Sequence, residues 1–279
     1  MEIVVVDDCS NPPFRLAPDI AENPNIRLVR NETNGGESVA RNNGVAAAKG
    51  SWIAFLDSDD YWLVDTLRPR LEFAEREFSA ENYAMTTYVA GFVTDNKRTG
   101  LRQARIPRES ARTVDFASGC WIAPGSTMLC RKEAMQRVGP SDPGLRRLQD
   151  LDWFLRFALA GGKIRVWAKI AAVIETGPKP PVPTLEESVR HLQAKYSDRS
   201  NPCCLPPELM RRLEAYIDVE RASLFGAQRR WLQTAYYLGR SVWRVPRLSL
   251  SLERFWRYAP LPAGLEPAGT PPISKARTQ

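Results

Sequence analysis

Histidine is almost absent from this chain: His191 is the only one in 279 residues. It reads as a helix-surface residue rather than a catalytic one. Cysteine is scarce too. Cys9, Cys120, Cys130, Cys203 and Cys204 match no zinc-binding spacing and are read as reduced cytosolic thiols. No apolar run approaches the roughly 18 residues that a transmembrane helix needs. The start lacks the basic and apolar regions of a signal peptide: Met1 leads directly into EIVVVDD. There is no GxGxxG, no GxxxxGK[ST] and no internal repeat, so a glycine-cradled nucleotide loop and a solenoid are not expected.

What is present suits a folded enzyme-sized domain. At 43% hydrophobic and 25% charged, the chain can bury a core and is not disordered overall. Its net charge of +7 suits anionic partners, whether nucleotide phosphates, nucleic acid or an anionic membrane surface.

The pattern along the first 176 residues alternates strands and helices. Ile3 to Val6 form a β-branched run ending in Asp7 and Asp8, and Ile26, Leu28 and Val29 suggest a second strand. After the turn Asn34-Gly35-Gly36 comes an alanine-rich helix over 38–49, then a strand over 52–56. Leu63 to Phe78 reads as a helix, 83–93 as a strand, and 94–115 as a basic polar loop. A strand over 126–131, a helix over 132–138, a helix over 150–160 and a strand pair over 164–173 complete the unit. The expectation is an α/β domain with a mainly parallel sheet. A proline-rich break over 177–184 separates it from a helical region over 185–258, and a frayed tail over 259–279.

Three constellations carry candidate chemistry. IAFLDSDD at 53–60 places Asp57, Asp59 and Asp60 at the carboxyl end of a strand, where ligands of open α/β sheets bind. Crowded carboxylates repel unless something positive lies among them, and hard oxygen ligands favour Mg²⁺ or Mn²⁺ carrying phosphates. The plainer reading is that such acids cap the turns that follow; two strand-end sites in one sheet favour the functional one. NGGESVARNNGVAAAKG at 34–50 reads as a capped surface helix from which Arg41 and Asn42 could face a nucleotide. LQDLDWFLR at 148–156 puts Asp150 and Asp152 at a helix start, as macrodipole partners or with one as a general base.

In this order and spacing, EIVVVDDCS, NGGESVARNNGVAAAKGSWIAFLDSDDYW, GSTMLCRKEAMQRVG and QDLDWFLR resemble the family 2 inverting glycosyltransferases of the GT-A fold. The resemblance implies a nucleotide-diphospho-sugar transferase fold, Rossmann-like, with helices flanking the sheet. It implies that Asp8 contacts the nucleotide base, that Asp57 lies near the ribose and that Asp59 ligates a divalent cation, Mg²⁺ or Mn²⁺. Asp150 takes the place of the catalytic base, with Gln149 where the family has glutamate. Asp152 supports the helix start. The partners implied are a nucleotide-sugar donor, UDP-sugar first, and a saccharide or lipid-linked acceptor of cell-surface polysaccharide or glycolipid synthesis. The family pattern opens with a further strand of the type VSVIIPTYN, whereas here Met1 stands almost at the VDD strand. A truncated, inactive GT-A module acting as a binding or regulatory protein is the rival reading.

The C-terminal region interleaves arginine with tryptophan: Arg229, Arg230, Trp231, Arg240, Trp243, Arg244, Arg247, Arg254, Trp256 and Arg257 among others. The plain reading is a helical appendage with solvated arginines. Peripheral contact with the inner face of a membrane is the alternative, and nucleic acid is not expected as a partner. The localisation expected is cytoplasmic.

Overall fold

The computed structural model describes residues 1–81, 83–177, 179–246 and 255–265. Arg247, Arg254, Pro178 of the proline-rich break and the tail beyond 265 lie outside the described residues. The elements run β1 (Ile3–Asp7), α1 (Pro18–Ala21), β2 (Ile26–Arg30), α2 (Glu37–Ala47), β3 (Trp52–Ala54), β4 (Tyr61–Trp62), α3 (Leu67–Glu81), β5 (Thr86–Asn96), β6 (Leu101–Pro107) and α4 (Thr113–Phe116). They continue with α5 (Pro124–Thr127), β7 (Met128–Arg131), α6 (Lys132–Val138), α7 (Gln149–Leu159), β8 (Lys163–Glu175), α8 (Val182–Ser197), α9 (Pro207–Ala227), α10 (Trp231–Arg244) and β9 (Trp256–Ala259).

β5 is the spine. Its sequence TTYVAGFVTDN is apolar on both faces and almost wholly buried, as a central strand must be. One edge carries β8 in parallel along its length; the other carries β7 at residues 87–89 and β6 at residues 92–96, both antiparallel. β3 pairs antiparallel with β7, β4 with β8, and β9 with β6. The β5–β8 register shifts around Gly91, where a side chain would press on the Lys169 carbonyl, so the bulge needs glycine. β1 and β2 form a parallel pair of their own, without hydrogen bonds to the larger sheet.

The expectation of a mainly parallel sheet is corrected: the sheet is mixed, and most of its ladders are antiparallel. The expected loop over 94–115 contains β6, because the turn at Asn96–Gly100 folds it back as a hairpin on β5. The expected strand pair over 164–173 is the single long strand β8.

The main core lies between this sheet and α7, α8 and α9. Trp121, Phe116, Phe154, Leu155 and Phe157 meet Leu185, Val189, Leu213 and Ile217 there. Burial of each such side chain stabilises by about 1.5–3 kcal/mol. α7 is held hardest, with Leu151, Phe154, Leu155 and Phe157 all buried, and it carries the candidate base on its first turn. The C-terminal helices are followed by β9, which returns to the sheet, and Leu261 and Leu265 pack on Val93, Ala104 and Val173. No helix among the described residues is long and apolar enough to cross a membrane.

Candidate active site

Arg41 organises the site. It sits near the middle of α2, with its side chain only 13% exposed. Nη1 donates to Asp150 Oδ1 at 2.7 Å, and Nη2 donates to Asp57 Oδ1 and Oδ2 at 2.9 and 3.1 Å. Glu37, one turn earlier, adds a third carboxylate at 2.5 Å. The guanidinium also lies 5.6 Å over the Phe55 ring. Burial alone would lower the Arg41 pKa, but the charges of Asp150, Asp57 and Glu37 outweigh it and hold the cation further above its ordinary value. The positive charge that the acid cluster requires is supplied by the chain itself.

Each partner is aimed by its own element. Asp57 follows β3; its backbone N–H donates to Ser126 Oγ, whose hydroxyl donates to Asp60 at 2.6 Å. Gly125 beside it must be glycine, since a Cβ there would overlap the Asp57 carboxylate and the Arg41 guanidinium. Asp150 lies in the first turn of α7, where the helix dipole favours negative charge. Leu148, the residue that caps α7, is left-handed (φ 63°), a conformation uncommon for leucine that sets the direction in which the helix starts. Asp150 Oδ2 carries no hydrogen bond among the described residues, so one oxygen is fixed and the other is free to accept a proton.

Asp8 has a different setting. It accepts from the Gly35 and Gly36 backbone N–H groups at 3.0 and 2.6 Å and from Asn31 Nδ2 at 2.7 Å. Burial pushes its carboxyl up, but those donors and the nearby Arg146 charge hold it below the usual range. It thus anchors the turn that opens α2. Asp152 is fully buried and accepts from Arg156 and Tyr196, with Lys195 at 2.7 Å, so it ties α7 to α8. His191 lies on the α8 surface against Asp142.

Asp59 is exposed, and no hydrogen bond or ion pair among the described residues engages its side chain. Asp60 is engaged by Ser126 and by the Glu175 N–H, and burial raises its carboxyl despite those bonds. No three His, Cys, Asp or Glu side chains among the described residues converge as a metal cage. Asp59 is the carboxylate of this cluster left open to a hard cation, which would bring its other ligands as phosphate and water.

The sequence reading did not single out Glu37, Gln149 as its hydrogen-bond donor (2.6 Å), Ser126 or Arg146. Glu37 was signalled by its spacing of four from Arg41. Ser126 had no sequence signal, because only folding brings it beside β3. A cleft of about 340 Å³ opens behind Arg41 between α2, α6 and α7, floored by Phe55 and Trp153. None of Asp8, Asp57, Asp59 or Asp150 lines it.

The family model described as glycosyl transferase family 2 matches residues 1–139. The chain belongs to this family. The matched stretch holds Asp8, Arg41, Asp57 and Asp59, and Asp150 lies 11 positions past its end (150 − 139). The chain is 44% identical over 75 residues to the succinoglycan biosynthesis protein ExoO of Rhizobium meliloti, covering 27% of this chain and 22% of ExoO. It is 36% identical over 86 residues to WfaP of Escherichia coli, a UDP-Glc:alpha-D-GlcNAc-diphosphoundecaprenol beta-1,3-glucosyltransferase, covering 30% of this chain and 34% of WfaP. The chain spans about half the length, or less, of the curated relatives it matches. The crystal structure of S. aureus TarS superposes with a TM-score of 0.52 at 20% identity, over 88% of this chain and 44% of TarS. The fold of this family 2 chain is of the GT-A type.

Proposed function

We propose that this chain is a metal-dependent inverting glycosyltransferase that moves a sugar from a UDP-sugar to a saccharide or lipid-linked acceptor in cell-surface polysaccharide or glycolipid synthesis. The observation that carries the reading is the Arg41 bridge, which joins the end of β3 to the start of α7 and so puts a donor-side acid beside a candidate base. The names of ExoO and WfaP support the polymer class, the uridine donor and the lipid-linked acceptor.

In this reading Asp57 and Asp8 hold the nucleoside and Arg41 faces the donor. Asp59 would hold Mg²⁺ or Mn²⁺, which when bound neutralises charge on the leaving diphosphate. Asp150 Oδ2 accepts the proton of the acceptor hydroxyl as its oxygen bonds to the anomeric carbon. The bond from that carbon to the nucleoside diphosphate breaks in the same in-line step, inverting the configuration. Arg41 holds Asp150 Oδ1 and so fixes the carboxylate while Oδ2 takes the proton.

Calorimetric titration with UDP, with and without Mn²⁺, tests the donor half. Binding that strengthens with Mn²⁺ and loses that gain in Asp59→Ala is expected; metal-independent binding, unchanged in Asp59→Ala, sinks the metal assignment. Turnover over UDP-, GDP- and dTDP-sugars tests the transfer, and full activity in Asp150→Asn removes that residue as base. A binding module without transfer is the second reading, favoured by the separation of β1–β2 from the main sheet, which puts Asp8 at the end of one sheet and Asp59 in a turn between strands of the other. UDP binding without turnover of any donor would select it.

A further inference from the structure

We infer that the outward face of α10 is a docking surface for an anionic membrane. The helix is turned against the usual rule. A surface helix normally buries its apolar stripe and shows its charges to water. In α10 the inward face carries most of the helix's polar groups beside Tyr237, which stacks on Phe225: Ser241 is buried on the Ala215 carbonyl, and Arg240 and Arg244 reach the fully buried Asp218 of α9. Arg221 of α9 completes that charge cluster. The outward face is apolar. Leu232, Ala235, Tyr236, Gly239 and Trp243 follow i, i+3, i+4, i+7 and i+11, and every one is exposed. Leu232 is 86%, Trp243 82% and Tyr236 60% exposed, with Trp231 beside them at 65%. Large aromatics do not gather on one exposed stripe without a partner.

The chemistry of the rim favours lipid. Arg229 and Arg230 are exposed at the start of the helix and form no ion pair among the described residues. The chain as a whole carries +7. Tryptophan and tyrosine over an apolar stripe, with arginine at its edge, suit the level of lipid headgroups. From Trp231 to Trp243 the stripe runs about 18 Å, shorter than the roughly 30 Å of a bilayer core, so α10 lies on a membrane and does not span it. A stripe about 18 Å by 10 Å is also far below the roughly 800 Å² per partner that a stable dimer buries.

Co-sedimentation of the full chain with phosphatidylcholine vesicles, with and without phosphatidylglycerol, tests the inference. Binding to the anionic vesicles that salt releases is expected. A Trp231→Ser, Leu232→Gln, Trp243→Ser variant should lose at least about tenfold in bound fraction. Its substitutions leave the face against α9 untouched. Arg229→Glu with Arg230→Glu should weaken binding to anionic vesicles only. UDP affinity, measured on the same samples, should not change, which separates this surface from the donor site. Absence of vesicle binding, or equal binding by the triple variant, overturns the inference. A wild-type dimer that the triple variant splits would assign the face to a second copy and overturn it too.

Discussion

Arg41 and Asp150 meet at 2.7 Å although 109 positions separate them along the chain. One guanidinium fork spans Asp150 and Asp57, a geometry that a single ammonium cannot reproduce. Arg41→Lys is therefore expected to keep the fold, by far-UV circular dichroism, and to lower transfer by roughly 10–100-fold through misplacement of the reacting groups. A wild-type rate in that variant would remove Arg41 from the site.

Gly125 tests the same junction without touching a charge. An added Cβ must displace the Asp57 carboxylate, the Arg41 guanidinium or both. Gly125→Ala should weaken UDP binding by at least about tenfold, with a stability cost of roughly 1–3 kcal/mol from overpacking. Calorimetry and urea unfolding on one preparation separate the two effects. Unchanged UDP affinity would show that Asp57 need not stay where it is.

Much of this was legible in the sequence, for identifiable reasons. Helix α7 announces itself through Leu151, Phe154, Leu155 and Ala158 at helical spacing, and β1 and β3 through apolar runs ending in acids. Strand β6 was not legible: LRQARIP has no clean alternation, and it is a strand because β5 and β9 pair with it on both sides. The left-handed Leu148 was equally hidden, since nothing local favours it. For the acids, residue type showed where charge would gather and not what would neutralise it. Asp8 supports a turn and Asp57 meets an arginine, and both partners arrive through tertiary packing.

Asp142 pins the segment before α7 to α8 through Lys195 at 2.8 Å and His191 at 3.1 Å. Burial pushes its carboxyl up, but Lys195, the Gly144 N–H and His191 outweigh it and bring the pKa to about 2. The unfolded value is about 3.9. A lowered folded pKa gives stability that is present above pH ~4 and fades as pH falls towards 2. Asp142→Asn should cost about 1–2 kcal/mol at pH 7, allowing for partial solvent screening. In urea titrations the gap from wild type should close as pH is lowered from 4. A gap independent of pH would mean that the residue acts through packing alone.

Asp152 makes the strongest stability prediction. Its carboxylate is fully buried and shared by the Arg156 guanidinium at 3.0 Å, the Lys195 ammonium at 2.7 Å and the Tyr196 hydroxyl at 2.9 Å. Removing the acid takes the buried carboxylate from Arg156, from Lys195, which keeps Asp142, and from the Tyr196 hydroxyl, so Asp152→Ala should cost about 3–5 kcal/mol. Tyr196→Phe removes one donor from a carboxylate that keeps two cations, and should cost only about 1–2 kcal/mol. The two changes act on one contact, so the double variant should lose less than the sum of the singles, by roughly 0.5–2 kcal/mol. Strict additivity in urea unfolding would show that Tyr196 holds α8 by its ring and not by its hydroxyl. Because α7 carries Asp150 on the same first turn, Asp152→Ala should also lower transfer in whatever fraction stays folded.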